Sequence, residues 1–166
     1  MLKLDAGTPR ADPPAPAAPG GEHREELRLW LRLLTCTTLV EAEVRRRLRA
    51  QFGLTLPRFD LMAQLDRAPD GMTLGDLSRR LMVSNGNVTG LVERLAANGQ
   101  VERVPHAVDR RVVRVRLTEA GRAAFARMAR AHAGWIAELL GGLTQEEGRV
   151  LMRVLDRLKQ TLREGG

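Results

Sequence analysis

The sequence predicts a mainly α-helical fold with one β-hairpin wing, a winged helix-turn-helix with N- and C-terminal dimerisation helices. Apolar residues recur at helical spacing over most of the chain. They alternate with arginines in one stretch only, Val113-Arg114-Val115-Arg116-Leu117, which is typical of a half-buried strand. Basic residues gather around that stretch and the two short helices before it, which indicates an anionic partner.

Length and composition exclude several classes of protein. A chain of 166 residues holds one compact domain with an arm. Lysine and arginine number 27 against 20 acids, and the net charge of +7 favours nucleic acid, a membrane surface or a phosphorylated ligand as partner. With 3% aromatic residues, stacking platforms for single strands are not expected. One cysteine and three scattered histidines predict neither a disulfide framework nor a metal site, and no cofactor is expected.

The first segment, residues 1–22, holds five of the eight prolines and is predicted to be a disordered Pro/Ala/Gly-rich arm. It has no secretory pattern, because an acid at Asp5 is followed by no apolar stretch. No run in the chain approaches the ~20 apolar residues of a membrane span. We therefore expect a cytoplasmic protein without a membrane partner.

Residues 23–56 are predicted to form an N-terminal dimerisation helix and a linker. The helix runs from Glu25 to Ala50, and its apolar stripe is broader than one neighbour within the chain requires. Its end is rich in arginine, namely Arg45, Arg46, Arg47 and Arg49. This run fits either a solvated basic helix end or an anion site.

Residues 57–117 are predicted to form the DNA-binding lobe. Pro57 opens a short helix, and Thr73 with Asp76 caps the next one. A three-residue break at 82–84 leads to a helix capped by Ser84, whose apolar stripe consists of Val88, Leu91, Val92 and Leu95. Two short helices joined so tightly are typical of a helix-turn-helix, although a helical corner of an ordinary α-protein has the same spacing.

The hairpin that follows strengthens this interpretation. Residues 101–104 and 113–117 are its predicted strands, with Val113, Val115 and Leu117 expected on the buried side. Between Thr73 and Leu117 there are eight basic and four acidic residues. Arginine suits phosphate oxygens and base edges, so duplex DNA is the predicted partner, with a solvated hairpin face as the alternative for Arg114 and Arg116.

Residues 118–166 are predicted to form the C-terminal dimerisation helices. Thr118 caps a long helix, Gly141-Gly142 interrupts it, and Thr144 with Glu147 forms a capping box for the last helix. That last helix carries a leucine-rich stripe that one protomer could hardly cover, which favours a homodimer.

Two segments resemble the MarR family of bacterial transcriptional regulators: LSRRLMVSNGNVTGLVERLAANGQVER (77–103) and VDRRVVRVRLTEAG (108–121). The resemblance implies a homodimer with interlocked terminal helices. It also implies two winged modules that bind successive major grooves of a pseudo-palindrome, about one turn or ~34 Å apart.

The predicted DNA contacts lie on the second helix of the motif and on the wing. Asparagine can pair with adenine and threonine can touch a thymine methyl. The candidates are Ser84, Asn85, Asn87, Thr89 and Arg94 on the helix and Asp109, Arg110 and Arg111 on the wing. The resemblance implies that Arg111 enters the minor groove and that Asp109 orients it. Gly86, Gly90 and Gln100 depart from the residues that the family commonly has.

The resemblance also implies release from DNA by a small molecule. The segments 27–49 and 52–65 are similar to a subgroup that controls aromatic-acid catabolism, some of whose members respond to CoA thioesters. An aromatic acid or its CoA thioester is therefore the predicted effector, with Arg45, Arg46, Arg47 or Arg32 available to a polyphosphate. The candidate ligand-binding residues are Trp30, Arg32, Leu33, Leu34, Thr37, Arg45, Arg46, Phe59, Met62, His132 and Trp135. Ordinary core or dimer packing is the alternative for most of them.

Cys36 is expected to be a small buried apolar residue rather than a peroxide sensor. The family's hydroperoxide sensors rely on tyrosines to activate their thiol, and this chain has no tyrosine. No nucleophile–base set, phosphate loop or metal cluster predicts an enzyme. The remaining alternative is an effector-independent or architectural DNA-binding protein, which would discriminate weakly between sequences.

Overall fold

The computed structural model describes residues 23–105 and 113–164. Its elements follow in the order α1 (Arg24–Phe52), α2 (Leu56–Asp66), α3 (Leu74–Leu81), α4 (Asn85–Ala97), β1 (Val101–Pro105), β2 (Val113–Leu117), α5 (Glu119–Leu139) and α6 (Gln145–Glu164). The predicted fold class, a mainly helical chain with one antiparallel hairpin, is confirmed. Contacts divide the chain into residues 1–38 and 39–166.

In the first unit, the described residues 23–38 belong to the N-terminal half of α1. Nearly all their side chains are exposed, including Trp30 at 58%, and Leu33 is half-buried. Cys36 is exposed as well, so the expectation of a buried cysteine is wrong. The physical reason is that this part of α1 buries almost no apolar surface of its own.

The core lies in the second unit and is built from every element between the end of α1 and α5. The fully buried side chains include Leu48, Leu61, Met62, Leu65, Leu77, Val88, Val92, Leu95 and Val115. The stripe predicted for α4 is confirmed, with Leu91 half-buried and the other three members buried. Burial of side chains of this size contributes about 1.5–3 kcal/mol each, so this stripe attaches α4 firmly to the lobe.

Capping residues begin the later helices where the sequence predicts. The Thr73 hydroxyl oxygen accepts from Asp76 N, Ser84 Oγ from Asn87 N, and Thr118 Oγ1 from Gly121 N. Before α6, Thr144 and Glu147 form the reciprocal capping box, and its backbone hydrogen bond lowers the pKa of Glu147. Each such cap satisfies amides that the first helical turn leaves unpaired.

The hairpin pairs Val101 with Leu117 and Pro105 with Val113. Val115 and Leu117 are buried as expected, but Val113 is 48% exposed, so its predicted burial is wrong. Val113 is the first residue of β2, whereas Val115 and Leu117 lie further along the strand and pack into the core. The other edge of β2 is bonded to Met72. Met72 N donates to Val115 O at 2.9 Å, and Val115 N donates to Met72 O at 2.8 Å.

The junction between α4, the hairpin and α5 requires glycine at Gly121 and uses the backbone of Gln100, whose side-chain Oε1 is buried without a hydrogen-bond partner among the described residues. Gln100 donates its N–H to Leu95 O, and its carbonyl accepts from Thr118 N. A Cβ on Gly121 would lie 1.8 Å from the Gln100 carbonyl oxygen, so only glycine fits there. The backbone of Gln100 therefore joins the end of α4 to the start of α5.

The last helix, α6, buries none of its side chains within the described chain. Its apolar stripe is about 40% exposed at each of Val150, Leu151, Val154, Leu155 and Leu158. None of the helices in the described ranges is long and apolar enough to cross a membrane.

Candidate nucleic-acid interface

A tight turn joins α3 to α4 and sets the angle between them. Met82 adopts the left-handed conformation at φ 53° and its side chain is 91% exposed. Ser78 and Val83 are bonded twice: Val83 N donates to Ser78 O at 3.2 Å, and Ser78 Oγ donates to Val83 O at 2.5 Å. This double link fixes the start of α4 one residue before its Ser84 cap.

The first turn of α4 presents polar side chains to solvent. Ser84, Asn85 and Asn87 are exposed, while Val88 directly after them is buried. Thr89 is half-buried, and its hydroxyl donates to Asn85 O at 3.0 Å. The Thr89 hydroxyl is therefore engaged within the helix, and its methyl group is what remains for a partner.

Two glycines leave the outer surface of α4 without side chains. A Cβ at Gly86 or Gly90 would meet nothing within 4 Å, so packing within the chain does not require either glycine. Both lie within the helix, where glycine costs up to about 1 kcal/mol relative to alanine. The backbone of α4 is consequently accessible along these two turns.

The arginines of the lobe differ in whether a carboxylate or carbonyl of the same chain already pairs with them. Arg116 pairs with Glu102 across the strands at 2.7 Å, and Arg79 pairs with Asp76. The Asp76 pKa is lowered by its hydrogen bonds from Thr73 and Arg79. Arg114 is half-buried and donates to Gly71 O at 3.4 Å, so it supports the hairpin base and is not a solvated side chain.

Arg94 and Arg103 are exposed, and neither forms an ion pair with another described residue. Arg103 is absent from the predicted contacts; the strand register pairs it with the buried Val115, yet its own side chain is exposed. The predicted wing contacts Asp109, Arg110 and Arg111 lie outside the described residues.

A cavity of about 500 Å³ lies between α2, α3 and α5. It includes two of the predicted ligand residues, Phe59 and His132, whose rings lie 5.0 Å apart. Its polar lining residues are Asp60, Gln64, Arg67, Arg80 and His132. Burial raises the pKa of the Asp60 carboxyl, and the nearby His132 partly opposes this rise.

Sequence reasoning missed Asp60, Arg67 and Arg80 as cavity residues. A signal existed along α2, because Asp60, Gln64 and Arg67 recur at helical spacing. The wall from the last turn of α3 gave no such signal. Met62 is fully buried in the core and does not line this cavity.

The other predicted ligand residues lie elsewhere. Trp30, Arg32 and Thr37 are exposed on the first unit, where Leu33 is half-buried. In the second unit, Arg45 pairs with Glu41, and Arg46 pairs with Glu43 at 2.7 Å. Hydrogen bonds from Arg46 and then Arg47 lower the Glu43 pKa to about 2.

Comparisons with known proteins agree with this geometry. The sequence model of the MarR family matches residues 52–112, from the end of α1 into the hairpin loop. The Transcriptional activatory protein BadR of Rhodopseudomonas palustris is 33% identical over 140 residues, which are 80% of this chain and 79% of BadR. A MarR family transcriptional regulator from Silicibacter pomeroyi has 36% identity and a TM-score of 0.72, over 84% of this chain and 96% of that one.

A solved structure shows a similar protein bound to DNA. Streptococcus pneumoniae FabT in complex with DNA is 27% identical with a TM-score of 0.72, over 85% of this chain and 99% of FabT. The relatives are transcriptional regulators and not enzymes. The tight helical turn, the polar start of α4 and the anchored hairpin are the parts of this chain that such a role requires. The chain belongs to the MarR family of DNA-binding transcriptional regulators.

Proposed function

We propose that this protein is a cytoplasmic homodimeric repressor that binds a pseudo-palindromic operator and leaves it when a small aromatic acid or its CoA thioester binds. The observation that carries the DNA-binding part is the polar first turn of α4, held at a fixed angle by Ser78 and Val83. A rigid support of this kind is what base readout requires, because side chains must meet base edges in one register.

On this proposal, the start of α4 lies in the major groove. The amides of Asn85 and Asn87 read adenine, and the Thr89 methyl touches a thymine methyl, since its hydroxyl already donates to Asn85 O. Ser84 and Arg94 contact phosphate. Gly86 and Gly90 allow the helix backbone to approach the groove closely, because no side chain projects from them.

The wing is tested with two variants of its predicted DNA contacts, Arg111→Ala and Arg110→Ala. If Arg111 enters a narrow minor groove, operator affinity at fixed salt falls about tenfold or more, because the negative potential there is concentrated. Arg163→Ala, in the last turn of α6, is the matched control and binds like the wild type. Gel-shift titration measures the affinities, and an Arg111→Ala variant that binds like the control removes the wing from the mechanism.

The dimer is supported by the exposed apolar stripe of α6. An amphipathic helix that buries nothing within its own chain exposes an apolar patch that monomeric proteins rarely tolerate. A two-fold dimer also presents two copies of α4 to two half-sites. Sedimentation at micromolar concentration is expected to give twice the chain mass, and a monomer there overturns this part of the proposal.

The effector is proposed to occupy the cavity between α2, α3 and α5. The rings of Phe59 and Phe125, which lie 5.5 Å apart, offer an apolar contact for an aromatic ring, and Arg67 and Arg80 can pair with a carboxylate. Arg80 and Leu81 end α3 directly before the Met82 turn, so an occupant touches the segment that positions α4. A coupling free energy of about 1–3 kcal/mol between the two sites would suffice for release.

Calorimetry with benzoate-type acids and with their CoA thioesters tests the effector. Binding is expected to be weakened in Arg80→Gln, and operator affinity is expected to fall when the cognate compound is present. Absence of heat with both classes ends this part of the proposal. If, in addition, the protein binds random duplex DNA as tightly as its own promoter, it is an effector-independent or architectural DNA-binding protein instead.

The direction of control needs its own test, because the similar protein BadR is a transcriptional activatory protein. A reporter under the protein's own promoter is expected to rise when the gene is deleted. A fall in expression replaces repression with activation and leaves the DNA-binding function in place.

A further inference from the structure

A second concave surface of about 800 Å³ lies between the C-terminal half of α1 and the start of α2. We call it the Arg45–Arg49 groove. One wall consists of Ala42, Arg45, Arg46 and Arg49, which recur at helical spacing, and the other includes Leu56 and Pro57. It shares no lining residue with the cavity between α2, α3 and α5, so the two are separate places on the same unit.

The charge of the groove has one sign. Three arginines line it and no acid does. Glu41 and Glu43 reach Arg45 and Arg46 along α1, but both arginine side chains remain at least 60% exposed. Arg49 is exposed and forms no ion pair with any described residue. Exposed pairs of this kind contribute about 0–1 kcal/mol, so a stronger anion can replace them at little cost.

The opposite wall adds to the positive potential. Thr55 precedes α2 at its N-cap position, but its side chain does not cap the helix and accepts instead from Arg58 Nε at 3.2 Å. The N-terminus of a helix carries a partial positive charge. The N–H groups of Arg58 and Phe59 already donate to Thr55 O and Pro57 has none, so this end of α2 contributes its dipole more than free amides. The groove therefore combines guanidinium groups, a helix N-terminus and the apolar surface of Ala42, Leu56 and Pro57.

We propose that the Arg45–Arg49 groove binds phosphate groups, supplied either by the DNA backbone or by a small phosphorylated ligand. Guanidinium groups bind phosphate by paired, charge-assisted hydrogen bonds, and three of them on one wall match a di- or polyphosphate better than a single carboxylate. The inference deepens the expectation that Arg45 and Arg46 meet a polyphosphate by adding Arg49 and the start of α2 to the site, and it depends on neither the α4 contacts nor the effector cavity.

Calorimetric titration of the full chain with inorganic pyrophosphate tests the proposal. The wild type is expected to bind, and the double variant Arg45→Gln/Arg49→Gln is expected to bind about tenfold more weakly or worse, because two charged hydrogen-bonding partners are lost. Arg130→Gln is the matched control, since Arg130 is exposed on α5 and lines neither concave surface. Circular dichroism checks folding, and Arg49→Gln alone serves if the double variant does not fold.

The source of the phosphate is then separated by the salt dependence of operator binding. If the DNA backbone occupies the groove, the slope of log affinity against log salt falls by about 0.9 for each lost contact in the double variant. If a small ligand occupies it, the slope stays the same while pyrophosphate binding is lost. The proposal is overturned if pyrophosphate gives no heat, or if wild type and double variant bind it equally. Either result leaves the gel-shift test of the wing unaffected.

Discussion

The helices α4 and α6 carry similar apolar stripes but have opposite surroundings. In α4, Val88, Val92 and Leu95 are all 0% exposed. In α6, Leu151, Leu155 and the rest of the stripe are about 40% exposed or more. Both helices begin at a side-chain cap, at Ser84 and Thr144 respectively, so local sequence signals do not distinguish them.

This contrast teaches that amphipathic spacing predicts a buried face but not the chain that buries it. The stripe of α4 stabilises its own lobe and holds the polar first turn in place. The stripe of α6 has no partner within the described chain, which is the observation behind the proposed dimer. Matched substitutions in the two helices test this distinction.

The largest effect is expected from Leu95→Ala. Removing a fully buried leucine side chain leaves a cavity and lowers the free energy of unfolding by about 2–5 kcal/mol. Urea denaturation followed by circular dichroism measures the change. A loss below about 1 kcal/mol would mean that α4 is not anchored by its stripe.

The matched change in the other helix is Leu155→Asp. A charge in an apolar interface should weaken self-association about tenfold or more, while the lobe keeps its helicity. Sedimentation measures the association and circular dichroism the helicity. Arg163→Asp, on the opposite side of the same helix, is the control, and equal dimerisation of both variants would contradict the assignment of α6.

A smaller effect is expected at the junction between α4, the hairpin and α5. Gly121→Ala forces a Cβ against the carbonyl oxygen of Gln100, and the backbone must shift at a cost of about 1–3 kcal/mol. Gly134→Ala on the same helix meets nothing within 4 Å and is expected to be neutral or stabilising. Thermal denaturation compares the two, and equal melting temperatures would show that the junction relaxes freely.

Removal of the two caps should cost about 1 kcal/mol each. Ser84→Ala is expected to lower the stability of the lobe, whereas Thr144→Ala is expected to act mainly on self-association, because α6 is not packed within its own chain. Urea denaturation and sedimentation of both variants separate these effects. The comparison between the helices fails if Thr144→Ala destabilises the isolated protomer as much as Ser84→Ala does.

The smallest effect concerns Asp60 and has a defined sign. Burial raises its folded-state pKa, so the folded chain disfavours the ionised carboxylate. The contribution of Asp60 to stability is therefore greatest below its ordinary pKa of 3.8 and is lost as pH rises through the raised value. Asp60→Asn should melt higher than wild type at neutral pH, with the difference disappearing in acid. A variant less stable at neutral pH would show that the ionised carboxylate is needed.

Much of the fold could be predicted because its signals are local. Thr73, Ser84, Thr118 and Thr144 are capping residues that act within three positions of themselves, and the change of period at Val113 marks the hairpin. The cavity could not be predicted in full, because Asp60, Arg67 and Arg80 come together only when α2 and α3 pack.

The sequence by itself determined the helices, their caps, the hairpin and the polar first turn of α4, since each depends on neighbours within a few residues. Tertiary structure alone decided that Arg114 reaches the carbonyl of Gly71, why Gln100 and Gly121 meet, and that α6 buries nothing within the described chain. These features depend on distances between elements far apart in the chain, and a periodic pattern carries no information about those distances.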